Sequence, residues 1–250
     1  MLYIFGFCVK WVKACIWPCK GLSFSAMKSF IILALYLLDV TLCLVQIKKN
    51  RPYAYMATKP LLMPLLCAVY YAFLPEHLAA LPHQKYVAVA LMLHTAGDIF
   101  LLFPRSKSKH MFYMGMLSFF LGHIFYSMWF IKAPVGHNRN AAIVVFLICL
   151  AIEYLIYWQL MLGPRKYAPM LLPYSFGLCL LATSIAYTMG QGSPVYATLI
   201  SQVVIALFFF SDFCIMRRMV RLPLFGQMMV MSTYIAGQSL IVLGMLLMQA

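Results

Sequence analysis

Acid is what this sequence lacks. Only five of its 250 residues are Asp or Glu, against 19 Lys and Arg, and charge of both signs together reaches 10% of the chain. Soluble domains carry about a quarter charged residues and stay near half apolar. Here 65% of residues are hydrophobic and the mean hydropathy is +0.91, which excludes a soluble enzyme. Also missing are the alternating segments of about ten residues that a membrane β-barrel is built from. The eight cysteines (8, 15, 19, 43, 67, 149, 179 and 214) include no CxxC pair. They outline neither a disulfide framework nor a thiol metal site. Five of them fall inside apolar runs, where a thiol behaves as a small hydrophobe. No His, Asp or Glu cluster has ligand spacing on one helix, so neither a metal nor a cofactor is expected. The 19 methionines read as adaptable packing.

What the chain has instead is long apolar runs. Eight can be counted, at 22–47, 57–74, 86–103, 111–131, 141–162, 168–188, 195–215 and 225–248. A helix needs about 20 mostly apolar residues to span a bilayer. The expected fold is therefore all-α, a polytopic membrane protein of about eight transmembrane helices, with residues 22–250 forming one domain. Clusters such as KKNRP, PRSKSK, KAPVGHNRN, GPRK, GQGSP and RRMVRLP end the runs, as helix stops at an interface should. Residues 1–21 are aromatic but interrupted by Lys10 and Lys13. That pattern suits an amphipathic segment lying on the bilayer better than a cleaved signal peptide.

The basic excess sits in short loops, where anionic headgroups and orientation signals account for it. The bilayer is thus the expected partner and nucleic acid is not. The loops after runs 1, 3, 5 and 7 hold Lys48, Lys49, Arg51 and Lys59; Arg105, Lys107 and Lys109; Arg165 and Lys166; and Arg217, Arg218 and Arg221. The positive-inside rule places those odd-numbered loops in the cytoplasm and both termini outside, against the pull of Lys10, Lys13, Lys20 and Lys28. A bacterial inner membrane and an endoplasmic reticulum membrane fit equally well.

Of the acidic residues Asp39, Glu76, Asp98, Glu153 and Asp212, only Glu76 falls in a loop. A carboxylate within a span costs several kcal/mol and usually faces a bundle interior or a wet cavity. Asp98 lies about five residues from the end of run 3, roughly 8 Å from the interface at 1.5 Å per residue. Asp212 is similarly close to the end of run 7, on the same side. Lys59 opens run 2 from that side. His123 and Tyr126 lie about halfway down run 4, and Tyr234 and Gln238 share a face of run 8. His94 precedes Asp98 by one turn. Depth groups these residues; lateral contact needs a structure. Each also has a plain reading: hydrogen-bonded structural carboxylates, a histidine bridging two helices, a snorkelling lysine. Asp39 and Glu153 are expected to pair with polar neighbours such as Thr41 or Gln159.

The stretches TKPLLMPLL (58–66), GDIFLLFPR (97–105), MGMLSFFLGHIFYSMWF (114–130), ALFFFSDF (206–213) and MSTYIAGQSLIV (231–242) carry a resemblance. In that order and spacing the chain resembles the YhhN/lysoplasmalogenase family of eight-span membrane proteins. The resemblance implies hydrolysis of the vinyl-ether bond of a lysoplasmalogen, giving a fatty aldehyde and glycerophosphocholine or glycerophosphoethanolamine. Carried over residue by residue, it marks Lys59, Asp98, His123, Asp212, Tyr234 and Gln238. This sequence departs from the family in having His94 where a small or hydroxyl residue is usual, and in its N-terminal extension.

A vinyl ether resists base and yields to acid. Its β-carbon must be protonated to an oxocarbenium ion, to which water adds before the hemiacetal collapses. One carboxylic acid and one carboxylate meet that demand, as in glycosidases. Asp98 and Asp212 are the expected catalytic pair. A charged His94 beside Asp98 would favour Asp98 as the carboxylate and leave Asp212 as the acid. Lys59, at the interfacial mouth, is expected to hold the substrate phosphate, with His94, His123, Tyr126, Tyr234 and Gln238 completing the substrate site. The alternatives are a proton-coupled transporter, for which residues 22–131 and 141–248 show no convincing inverted repeat, and a non-catalytic lipid-binding protein. Which aspartate is the acid and which the base, the headgroup preference and the oligomeric state stay open.

Overall fold

A computed structural model describes residues 24–103, 109–161, 168–190, 195–219 and 226–249. The interfacial segment expected at 1–21 lies outside the described residues. All regular structure among those described is helical: α1 (Phe24–Lys48), α2 (Pro52–Thr58), a 3₁₀ turn (Lys59–Leu61), α3 (Leu62–Phe73), α4 (Glu76–Ala79), α5 (Gln84–Leu102), α6 (Lys109–Lys132), α7 (Arg139–Met161), α8 (Ala168–Tyr187), α9 (Val195–Met219) and α10 (Gln227–Leu247). Each apolar run coincides with a long helix, or, for run 2, with α2, the turn and α3 in series. Among the described residues, five stretches are long and apolar enough to cross a membrane: Ala26–Lys48, Pro52–Phe73, Gln84–Leu102, His110–Lys132 and Gln227–Leu247. This is a multi-pass membrane architecture.

Local chemistry sets the ends. After α1, Asn50 takes a left-handed backbone with φ of 51°, a conformation that asparagine tolerates better than most side chains. Pro52 then opens α2 at a position where its missing N–H costs nothing. Eight residues on, Pro60 cannot donate back to the Met56 carbonyl, and the chain tightens into the 3₁₀ turn. That turn rolls Lys59 inward. Helix α5 stops where Phe103 becomes extended, immediately before Pro104 in the sequence.

The helices close a circuit. α1 packs on α3, α3 on α5, α5 on α6, α6 on α8, α8 on α9 and α9 on α10, and α10 returns to α1 and α3, while α7 lies outside against α8. The interior holds Leu62, Met63, Tyr70, Leu91, Tyr126, Trp129, Ile241 and Met245. The outer face of α7 presents Ile143, Leu147, Leu155 and Trp158, which suits hydrocarbon as a solvent. Lipid gives helices no hydrophobic reason to associate, so close contact carries the load. Two glycines permit it. A Cβ on Gly97 would lie 2.8 Å from the Phe119 ring across the α5–α6 seam, and one on Gly237 would lie 2.8 Å from Phe208 across α9–α10.

Candidate functional site

Asp98 is buried on α5 with both carboxylate oxygens engaged. Lys59 Nζ lies 3.1 Å from Oδ1, and the Tyr234 hydroxyl donates to Oδ2 at 2.9 Å. The three side chains come from the turn after α2, from α5 and from α10, so they join elements remote in sequence. Lys59 is not the mouth residue that the sequence suggests. Only 6% of it is exposed, and its ammonium is committed to Asp98. A pair this dry has lost its hydration, and each charge depends on the other. Tyr55 and Cys43 stand within electrostatic reach of Lys59, and Tyr55 also meets the Gln227 side chain. The sequence reading missed both. Tyr55 precedes Lys59 by four residues, at helical spacing, which was the available signal.

One turn deeper on α5, His94, which the sequence places as a neighbour of Asp98, turns to a different set of partners. Its Nδ1 lies 2.7 Å from the Ala90 carbonyl, which turns the imidazole back along its own helix. The ring packs among those of His123, Tyr126 and Phe119, with centroids 5.0, 5.3 and 5.4 Å away. Gly122 makes this possible, because a Cβ there would overlap the imidazole itself. Tyr126 donates to Gln238 Oε1 at 2.8 Å. His123 leans on Phe208 of α9 at 5.6 Å. Phe119 joins the two levels, since its ring also lies 6.0 Å from that of Tyr234.

Lys59, Asp98, Tyr234, His94, His123, Tyr126 and Gln238 thus form one contiguous group in the bundle interior. The eighth candidate, Asp212, is on α9, and its side chain lies outside those described. The spacing between the two aspartates is therefore not part of this geometry.

The remaining polar residues sit elsewhere. Glu153 accepts from Ser175 at 2.7 Å and from the Cys179 thiol at 3.6 Å, which clamps α7 to α8. The Thr41 hydroxyl returns to the Leu37 carbonyl at 2.8 Å instead of reaching Asp39. A further polar knot, unforeseen in the sequence, closes the far end of the bundle. Gln84 Oε1 accepts from Tyr70 and, at 3.1 Å, from Trp129 Nε1, while Gln84 Nε2 donates to Gln249 Oε1. Gln249 Nε2 in turn donates to Tyr70 at 3.1 Å and to the Met245 carbonyl at 3.0 Å. His83 caps this knot, and burial lowers its imidazole pKa below the ordinary value. A surface cavity of about 620 Å³ also opens at this end, lined by His137, Asn138, Arg139, Asn140, Met189 and Gly190. It is remote from Asp98.

Residues 54–245 match the sequence profile of the YhhN family, a span that includes every candidate residue from Lys59 to Gln238. Comparison with curated proteins and with solved structures gives no match.

Proposed function

We propose a hydrolytic function from one premise: this chain belongs to the YhhN family, which includes lysoplasmalogenases. In this reading it is an eight-span ether hydrolase. It cleaves the vinyl-ether bond of a lysoplasmalogen to a fatty aldehyde and a glycerophospho-base. One observation carries the proposal: Asp98, buried in an apolar bundle, has one oxygen on Lys59 and the other on Tyr234.

That arrangement suits one half of the reaction. A carboxylate held by an ammonium and a phenol is preorganised against the cation that forms when the β-carbon takes a proton. Fixed donors need no reorganisation as the charge develops. Asp98 is then the carboxylate of the pair, in the role for which the sequence invoked His94, and Asp212 on α9 remains the acid. The alkenyl chain lies among apolar helices, and a lysolipid enters sideways from the leaflet. With Lys59 engaged, the headgroup falls to the basic end of α1, where Lys48, Lys49 and Arg51 lie on the same side of the bundle.

The test is purified protein in detergent with a lysoplasmalogen and no ion gradient. Aldehyde release is expected from the wild type and not from Asp98→Asn, whose helical circular dichroism should stay near wild type while the unpaired Lys59 lowers its melting temperature. Wild-type turnover by Asp98→Asn would overturn the mechanism. Aldehyde release without a gradient also separates a hydrolase from a proton-coupled transporter.

A further inference from the structure

Buried polar groups are as a rule paired, and the site holds atoms that break that rule. His94 Nε2 and Gln238 Nε2 belong to residues with no exposed surface, and neither finds a hydrogen-bond partner among the described residues. We infer that His94 and Gln238 together hold a water molecule, the nucleophile of the reaction, with His94 as its general base. The water site rests on geometry alone, whereas its catalytic role rests on the hydrolase reading.

The far ends of both side chains are already fixed. A carbonyl oxygen can only accept, so the 2.7 Å contact with Ala90 places the proton of His94 on Nδ1. In a dry interior the imidazole is neutral, and its Nε2 then carries the bare lone pair that a general base needs. Gln238 Oε1 accepts from Tyr126, which leaves its NH₂ group as the donor. Tyr126 ties the two together. Its ring lies 5.3 Å from that of His94, and its hydroxyl holds Gln238. An acceptor and a donor flanking the same tyrosine match the needs of one water, which donates an O–H to Nε2 and accepts an N–H from the amide. The rings that face His94 from α6 are those of His123, Tyr126 and Phe119.

Position suits the chemistry. His94 precedes Asp98 by one turn, about 6 Å along α5. Once an acid has protonated the alkenyl β-carbon, the held water attacks the adjacent oxocarbenium carbon. A C–O bond forms, and the water's proton passes to His94 Nε2. As the hemiacetal collapses, that proton goes to the departing glycerol oxygen. The hemiacetal's hydroxyl proton returns to the carboxylate that acted as acid, so both groups end as they began.

Two experiments decide the inference. A wild-type structure in a lipid nanodisc, at a resolution that shows ordered water, should have density within hydrogen-bonding distance of both Nε2 atoms. An empty, well-resolved gap would overturn the water site, whether or not the protein hydrolyses lysoplasmalogen. In the aldehyde assay, His94→Gln should lower kcat by about 100-fold or more, the usual contribution of a general base, and leave KM near wild type. Wild-type kcat in that variant would overturn the base role. If His94→Gln does not fold, Gln238→Met keeps the volume, removes the donor and should show the same fall in kcat at unchanged KM. A wild-type enzyme that releases no aldehyde would instead sink the hydrolase reading, with the density test still standing.

Discussion

Asp98 is held by two unlike donors, and the difference predicts how each fails. Lys59→Met removes the countercharge and leaves a carboxylate buried beside a methyl group. Breaking a dry pair from one side typically costs about 3–5 kcal/mol, so the melting temperature in detergent should fall sharply and aldehyde release should vanish. Adding Asp98→Asn to that variant removes the orphaned charge and should restore most of the stability with none of the activity. A double variant as unstable as Lys59→Met alone would mean that the ion pair is not what stabilises this corner. Tyr234→Phe keeps the ring against Phe119 and loses only the charge-assisted bond, worth about 1.5–3 kcal/mol. A melting temperature unchanged by Tyr234→Phe would count against the 2.9 Å contact. These residues were legible in the sequence because carboxylates and lysines are rare in apolar runs. Their pairing was not legible. A lysine near a run's end looks like a snorkelling anchor, and only the tightened turn at Pro60 shows it drawn inside.

At the scale of the helix, glycine and aromatic rings set the spacing on which the site depends. On α6, Gly122 and Gly115 both face α5 but meet different neighbours. A Cβ at 122 would overlap the His94 imidazole, which its bond to Ala90 prevents from moving aside. A Cβ at 115 would meet the side-chain end of Leu101 at 3.0 Å, and a leucine can rotate away. Gly122→Ala should therefore cost about 1–3 kcal/mol through overpacking and lower kcat further by displacing the imidazole. Gly115→Ala should do little to either. Melting curves and aldehyde release for the two variants check this, and a larger loss of activity at 115 than at 122 would contradict it. Helix positions could be read from the sequence, since proline, glycine and basic clusters punctuate each run within a few residues of the observed ends. Helix partners could not. A span that is apolar on every side carries no stripe to say which face is inward, so the circuit α1–α3–α5–α6–α8–α9–α10 and the outlying α7 emerge only from packing.

Across the whole molecule, the polar interior divides into two layers with different tasks. The layer around Asp98 and His94 is charged or incompletely paired, as a reactive centre can be. The layer around Gln84 is neutral and closed upon itself, and it joins α3, α5 and α6 to the end of α10 through Tyr70, Trp129 and Gln249. The second layer reads as a fastening of the bundle and the first as its chemistry. The sequence did not foretell the fastening, because a lone Gln near an interface looks solvated until its partners are seen. Gln84→Met tests the division because methionine fills similar space without an acceptor or a donor. Tyr70 and Trp129 would each lose the acceptor they share. At about 1–3 kcal/mol for each buried group left unpaired, the loss of stability should reach several kcal/mol and show as a lower melting temperature. Turnover measured well below that temperature should remain at the wild-type level, since Gln84 lies about 21 Å along α5 from Asp98. A Gln84→Met protein that melts like the wild type yet releases no aldehyde would show the two layers acting as one, and the polar interior would then have to be read as a single path through the bundle.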